Sequence, residues 1–176
     1  MAKDWKGFER TVAKSLGAWW GCIMRRTPGS GAWGKQGQSR FNRKSLDATS
    51  EFHGDVCAPE KSGFPFSVEC KCYKTVGLYL FLYGKSEVLE WWKQCRQDAR
   101  RHKKLPMLVF KENMKRPLVA IDALSYTKLY RIKKLKQLRV MNLTYNTNKG
   151  LRTIVIMDFH SFLEAVPKKY IQMFLP

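Results

Sequence analysis

Two short stretches of the chain carry acidic and basic side chains in a pattern suited to phosphodiester hydrolysis. Asp55 follows a glycine at the start of a predicted strand, and Glu69 and Lys71 stand two positions apart in the next. Their spacing predicts a hairpin that brings Asp55 and Glu69 together. Two carboxylates are enough for a Mg²⁺ ion that also keeps waters and phosphate oxygens. Such an ion would lower the pKa of an attacking water, and Lys71 would position that water or neutralise the phosphate.

The same residues also have a simpler interpretation. A glutamate and a lysine two apart on a strand often form an exposed ion pair that contributes little to stability. Context favours a functional site. Val68, Cys70 and Cys72 alternate with the charged residues and predict a central strand that is buried on its other face. Two adjacent acids would also repel DNA in a chain of net charge +19 unless a cation lay between them.

The charge of the chain points to a polyanionic partner. The 176 residues include 33 Lys or Arg against 14 Asp or Glu, and residues 91–140 alone hold 15 of the basic residues. Such an excess repels itself in a compact domain, which favours nucleic acid as the partner over an acidic membrane surface. A hydrophobic fraction of 44% is sufficient for a real core and excludes a disordered basic tail. The alternative is a solvated face that serves solubility.

Periodicity predicts the elements that hold these residues. Trp5, Phe8, Val12 and Leu16 recur at helical spacing and predict a helix over 4–16 that Gly17 stops. Further helices are predicted over 86–104, capped by Ser86 and ended by Pro106, and over 159–166, capped by Asp158. Strands are predicted over 55–57, 67–73, 107–111, 117–121 and 151–157. Residues 76–83 are interpreted as a strand or ordered loop, residues 125–138 as a basic helix, and residues 25–54 as a long basic loop.

Asp55, Glu69 and Lys71, with Gly54 before the first acid, resemble the core of the PD-(D/E)xK nucleases. Together with Glu9-Arg10 in the first helix and the Arg25 to Gly31 segment, they are similar to the archaeal-type Holliday junction resolvases, which some phages also encode. The resemblance covers about residues 4–121. The stretch over residues 32–53 is longer than the corresponding resolvase loop, and residues 122–176 have no counterpart in it.

The resemblance implies roles for individual residues. Glu9, Asp55 and Glu69 would hold Mg²⁺, for which Mn²⁺ could substitute, and Lys71 would complete the catalytic set. The basic loop would contact DNA near the scissile phosphate. The expected DNA-binding residues in the resemblance and in the basic stretches of the chain are Arg10, Arg25, Arg26, Ser30, Lys35, Arg40, Arg100, Arg101, Lys103, Lys104 and Lys111.

The expected fold is α/β, with a restriction-endonuclease-like core in which helices flank a central mixed β-sheet. We expect a single nuclease domain over 1–176, with the core at about 4–121 and a basic C-terminal extension at 122–176. The expected partners are branched double-stranded DNA and a second copy of the chain, with no membrane and no small-molecule cofactor. The expected location is the cytoplasm, that of a bacterial host if the gene is viral.

Two other functions fit the same residues. The first is a restriction-type or DNA-end-processing nuclease, although no helix-turn-helix that would read bases is apparent. The second is a non-catalytic DNA-binding protein in which the acids are structural. The five cysteines show no C-x-x-C spacing and predict free thiols rather than a zinc site. The paired tryptophans at 19–20 and 91–92 are expected in the core, with base stacking as the alternative.

Overall fold

The structure is a computed structural model that describes residues 5–27, 50–51, 54–77, 80, 83, 86–148 and 150–175. The helices are α1 (Trp5–Trp20), α2 (Glu87–Arg101), α3 (Ala123–Leu129), α4 (Phe159–Ala165) and α5 (Lys168–Phe174). The strands are β1 (Arg25–Arg26), β2 (Ser50–Glu51), β3 (Val56–Pro59), β4 (Phe66–Tyr73), β5 (Leu105–Glu112), β6 (Leu118–Asp122), β7 (Val140–Thr147) and β8 (Gly150–Asp158).

A five-stranded mixed sheet forms the centre of the fold, in the order β4-β5-β6-β8-β7. Strands β4 and β5 are parallel, and the other neighbours are antiparallel. Along β5, Met107 and Val109 join an apolar cluster with α1, α3, α4 and α5, whereas Leu108 and Phe110 join a second cluster with α2. Both faces of the sheet are therefore covered by helices, which confirms the predicted α/β class and restriction-endonuclease-like architecture.

Helix α1 continues beyond the predicted stop at Gly17 and ends at Trp20. Trp20 is 1% exposed, and burying its ring extends the helix by one turn. The end comes at Gly21, whose φ of +78° is the left-handed conformation that closes many helices. The backbone N–H groups of Gly21 and Cys22 both donate to the Gly17 carbonyl.

The predicted hairpin between residues 55–57 and 67–73 is wrong. Strand β3 pairs with β1 and β2 in a separate three-stranded sheet, and Gly54 instead forms an isolated parallel bridge with Val68. Strand β4 is the edge of the central sheet, not an interior strand as predicted, although residues 66–70 are buried. Because β4 is an edge, its outward backbone groups are available to the segment that carries Asp55.

The central helix and strands follow the sequence signals closely. Ser86 caps α2, its hydroxyl oxygen accepting from the Val88 N–H at 3.2 Å. The predicted strands at 67–73, 107–111 and 117–121 are confirmed as β4, β5 and β6 within two residues at each end. Pro106 lies inside β5 and does not end α2, which stops earlier at Arg101.

Residues 122–175 contribute strands to the central sheet and helices that pack on it. The predicted strand at 151–157 and the Asp158-capped helix are confirmed as β8 and α4. Strand β8 lies between β6 and β7, so this segment supplies two of the five strands. The sequence analysis missed β7 and α5, and of the helix predicted at 125–138 only α3 and a short 3₁₀ turn at Leu135–Gln137 form.

Replacing Asp158 by Ala is expected to lower the free energy of unfolding by about 1–2 kcal/mol. The Asp158 carboxylate accepts from the Ser161 N–H at 2.9 Å and the Ser161 hydroxyl at 2.8 Å, and it pairs with Arg116 at 3.0 Å. Asp158→Asn keeps the cap and should lose less than half as much. Urea denaturation at pH 7 measures both variants, and equal losses would contradict the capping role.

The loss of unfolding free energy caused by Asp158→Ala should depend on pH. Burial alone would raise the pKa of Asp158, but hydrogen bonds from Ser161 and the charge of Arg116 lower it below its usual value. A lowered pKa in the folded state stabilises the protein above the pKa of the unfolded chain, and this stabilisation is lost as the pH falls. The difference between wild type and Asp158→Ala should therefore shrink below about pH 4.

Two further sequence predictions concern the long basic loop with the apolar segment, and the absence of a membrane partner. Most of the basic loop, and residues 78, 79, 81 and 82 of the predicted apolar segment, lie outside the described part of the chain. Among the described helices, none combines the length and apolar character needed to cross a bilayer.

Candidate active site

Asp55 is held at the edge of β4 by backbone contacts on both sides. Its N–H donates to the Val68 carbonyl at 2.7 Å, and its carbonyl accepts from the Thr27 N–H at 2.9 Å. Its carboxylate oxygen Oδ2 accepts from the Cys70 N–H at 2.8 Å. The side chain of Asp55 is therefore oriented by the same strand that carries Glu69, which is the convergence that the sequence predicted, reached by a different topology.

Gly54 makes this approach possible. Its φ is +69°, and a Cβ atom added at this position would lie 2.2 Å from the Val68 carbonyl oxygen. Any side chain would therefore push residue 54 away from β4 and take Asp55 with it.

Glu69 and Lys71 form an ion pair at 2.6 Å between Oε1 and Nζ. Glu69 is buried, whereas Lys71 is half-buried. Burial, and after it the negative charge of Asp55, raises the pKa of Glu69 to about 7 against the opposing effect of Lys71. The charges of Asp55 and Glu69 thus oppose each other in a partly desolvated site.

Lys71 stays protonated at neutral pH. Burial lowers the pKa of its ammonium group, but the charge of Glu69 and its hydrogen bond outweigh burial and raise that pKa above its usual value. A lysine with a raised pKa is a poor proton acceptor, so Lys71 is suited to neutralise a phosphate or to orient a water, and not to act as a general base.

Glu9 is buried on α1 and forms an ion pair with Arg26 on β1. After burial, the charges of Asp55, Glu69 and Glu9 all raise the pKa of the Cys70 thiol. The charges of all three predicted carboxylates therefore act on Cys70, although only that of Asp55 accepts from its N–H. Glu9 is paired with Arg26, as Glu69 is paired with Lys71.

The donor set fits one divalent cation. Among the described residues, no group of three or more Asp, Glu, His or Cys side chains is placed to hold a metal ion. Asp55 and Glu69 alone nevertheless match the preference of Mg²⁺ for one or two carboxylates with waters and substrate oxygens. Beside them, the buried Thr27 hydroxyl has no hydrogen-bond partner in the described part of the chain. A cation would also relieve the repulsion that raises the pKa of Glu69.

A basic groove runs along α1 next to this site. It has a volume of about 530 Å³. The basic residues that line it are Arg10, Lys14, Arg25 and Arg26. Arg10 and Arg25 are exposed, whereas Arg26 is held between Glu9 and the Trp5 ring, 5.1 Å from the ring centroid. The structure thus brings together three of the predicted DNA-binding residues.

The other predicted DNA-binding residues are distributed differently. Lys104 donates to the Phe64 carbonyl at 2.9 Å, and the Lys111 ammonium lies 5.2 Å from the centre of the Phe8 ring. Arg101 pairs with Asp98 at 3.2 Å. The remaining two described residues, Arg100 and Lys103, are exposed at the end of α2. Ser30, Lys35 and Arg40 lie outside the described residues.

Sequence reasoning missed one acid near the site and interpreted the tryptophans correctly. Asp98 on α2 adds to the rise in the pKa of Glu69. The helical pattern alone could not have indicated this, because the side of α2 that faces β4 is known only from the tertiary structure. Trp20 and Trp92 are 1% and 0% exposed, which confirms their place in the core.

The chain is similar to known phage proteins. A family model described as "Phage putative PDDEXK endonuclease" matches residues 6–173. The chain belongs to this family. Protein D14 of Escherichia phage T5 is 30% identical over 107 residues, which cover 58% of this chain and 59% of that protein. The chain thus matches less than two thirds of that relative's length. No solved structure matches the chain.

Membership of the PDDEXK endonuclease family confirms the broader part of the predicted resemblance. The family is of the PD-(D/E)xK type, and the match extends through residues 122–173, for which the sequence analysis found no counterpart. The narrower resemblance to junction resolvases stays a prediction, as do the roles of the individual site residues.

Proposed function

We propose that this PDDEXK endonuclease is a metal-dependent, structure-selective endodeoxyribonuclease that acts on branched DNA as a homodimer. The observation that supports the catalytic part most strongly is the Asp55 carboxylate held beside Glu69 and Lys71 at the edge of β4. When bound, Mg²⁺ supplies Lewis-acid stabilisation of the phosphate and a more acidic water.

The residues of the site have different roles. Asp55 and Glu69 provide the oxygen ligands and hold them in a fixed relation, because both are anchored to β4. Lys71 remains cationic and neutralises charge on the phosphate or orients the attacking water. Glu9 keeps Arg26 beside the site, so that one guanidinium is already positioned before DNA arrives.

Selectivity for branched DNA must come from outside this set, because the three catalytic residues act on any phosphodiester placed beside them. The groove with Arg10 and Arg25 adjoins the site and carries exposed guanidinium groups suited to backbone phosphates. Resolution of a four-way junction requires two symmetric nicks, which a dimer with two-fold symmetry supplies.

Cleavage of a synthetic four-way junction, compared with a linear duplex of equal length in Mg²⁺, tests this proposal. We expect faster cleavage of the junction, paired nicks in opposing strands, and a particle of twice the chain mass by light scattering. Arg10→Ala with Arg25→Ala should slow junction cleavage at least about tenfold, since each lost charged hydrogen bond costs about 1.5–3 kcal/mol.

The matched control is Lys133→Ala with Lys134→Ala, which removes the same charge from two exposed positions that follow α3. This variant should cleave junctions at nearly the wild-type rate. A monomer that cuts linear DNA as readily as junctions would support the second candidate, a restriction-type or end-processing nuclease, and would defeat the junction-selective proposal.

A further inference from the structure

A second basic groove lies on the opposite flank of α2 from the catalytic edge. It has a volume of about 860 Å³. One wall is α2, with Lys93, Arg96, Arg100 and Arg101, and the other is the end of β7 with the residues that follow it, 145–148. The groove exists because α2 is the one described helix whose residues join the apolar cluster on this face of the five-stranded sheet.

The groove is separate from the candidate active site. Its second wall belongs to β7, which lies at the opposite edge of the five-stranded sheet from β4. On α2, Asp98 contributes to the raised pKa of Glu69 and so lies on the side of the active site. Residues two positions apart on an α-helix point about 200° apart, so Arg96 and Arg100 face the other way. The body of the helix, roughly 10 Å across, lies between the two sites.

The charge of the groove is largely unbalanced. Its described lining contains four cationic side chains and no acidic one. Lys93 is paired with Glu90 at 2.6 Å, and Arg101 with Asp98 at 3.2 Å. Within the described part of the chain, neither Arg96 nor Arg100 has a carboxylate within ion-pair distance.

The opposite wall is rigid and carries hydrogen-bonding groups. The buried Tyr145 hydroxyl accepts from the Trp92 indole N–H at 2.9 Å, which ties β7 to α2 across the floor of the groove. The turn after Tyr145 is closed by a hydrogen bond of 2.7 Å from the Thr147 hydroxyl to the Gly150 carbonyl. Asn146 near the end of β7 and Asn148 on the turn that follows are both exposed. Their amides can donate to phosphate and sugar oxygens without adding charge.

We propose that this groove binds a second segment of the phosphodiester backbone of the DNA substrate, in addition to the segment at the catalytic edge. The proposal deepens the proposed function and rests on it. Two unpaired guanidiniums facing neutral amides on a preorganised wall suit a sugar–phosphate chain. A substrate in which two segments converge, as at a branch, would occupy both flanks of α2 at once.

The test is fluorescence anisotropy with a labelled four-way junction and a labelled linear duplex the length of one arm, in EDTA so that no cleavage occurs. Arg96→Ala with Arg100→Ala should weaken junction binding at least tenfold. The slope of log affinity against log salt should become shallower by about 1.8, because two phosphate contacts are lost. Binding of the single-arm duplex should change less than threefold.

Two further variants separate the groove from general electrostatics. Asn146→Ala with Asn148→Ala should weaken junction binding severalfold and leave the salt slope unchanged, since neutral amides release no counterions. Lys133→Ala with Lys134→Ala removes the same charge as the arginine pair elsewhere on the surface and should change junction binding less than threefold. Thermal melts monitored by circular dichroism verify that each variant is folded.

Three results would overturn the groove assignment. These are unchanged junction binding in the arginine variant, an equal loss in the lysine control, and an equal loss on the single-arm duplex. Displacement of the junction by poly-glutamate as efficiently as by a single DNA strand of equal charge would assign the groove to acidic peptides instead. Cleavage of the single-arm duplex in Mg²⁺ is measured separately. If the duplex is cleaved while the groove test fails, the nuclease proposal stands. If neither the duplex nor the junction is cleaved, the nuclease proposal fails whatever the groove binds.

Discussion

Replacing Asp55 by Asn is expected to reduce DNA cleavage by a factor on the order of 10² to 10³ or more, while DNA binding stays intact or becomes tighter. Asn is nearly isosteric, and its side-chain oxygen can still accept from the Cys70 N–H that now binds Oδ2 at 2.8 Å. The fold should therefore survive. The lost negative charge is the one that, paired with Glu69, would hold a divalent ion, and its removal also ends a repulsion of the DNA backbone.

The control for this variant is Asp122→Asn, which makes the same chemical change at the end of β6, two strands away from β4. Asp122 caps α3, accepting from the Leu124 N–H at 2.9 Å, and Asn caps helices about as well as Asp. Cleavage should be unchanged in this control. Glu69→Gln should behave like Asp55→Asn. Metal binding provides a readout besides activity, because Mg²⁺ should raise the melting temperature of wild type but not of either site variant. Normal turnover by Asp55→Asn would refute the assigned site.

Gly54→Ala is expected to lower the free energy of unfolding by about 3 kcal/mol or more and to abolish cleavage. The added methyl group would lie 2.2 Å from the Val68 carbonyl oxygen, and the residue would also have to keep a φ of +69°. The chain can relieve this overlap only by moving residue 54 away from β4. That movement would lengthen the bond from the Asp55 N–H to the Val68 carbonyl and displace the carboxylate from Glu69.

Gly63→Ala separates the steric overlap with β4 from the conformational cost of a positive φ. Gly63 has nearly the same φ, +63°, but a Cβ atom there would meet nothing within 4 Å. It should therefore lose only the conformational cost of about 1 kcal/mol and keep full activity. Urea denaturation and a cleavage assay on both variants provide the comparison. If the two substitutions cost the same, the close approach of Gly54 to β4 is not what positions Asp55.

Local patterns in the sequence were sufficient for much of the fold. The caps at Ser86 and Asp158 mark the starts of α2 and α4, because a cap depends only on the first turn that follows it. Alternation along β4 placed Val68 and Cys70 in the core on one side. The types and order of Asp55, Glu69 and Lys71 were enough to predict the nuclease superfamily, which the family match confirms.

The partners of these elements were decided only in the tertiary structure. Alternation of apolar and polar residues indicates a half-buried strand, but the alternation is the same whichever strand lies beside it. The sequence therefore favoured a hairpin, whereas Gly54 forms a parallel bridge with Val68. Likewise, nothing local showed that β8 is inserted between β6 and β7, which makes the supposed extension part of the central sheet.

The surroundings of each charged side chain were likewise decided only in the tertiary structure. Composition determined that the chain is strongly basic, and therefore that an anionic partner is expected. It did not determine which cations are held by other parts of the protein and which face an open groove. Arg26 is held by Glu9 and Lys104 by a backbone carbonyl, whereas Arg96 and Arg100 face an open groove. The reason is that a charged side chain pairs or hydrogen-bonds with the groups that lie within a few ångströms of it, and those neighbours come from segments far apart in the chain.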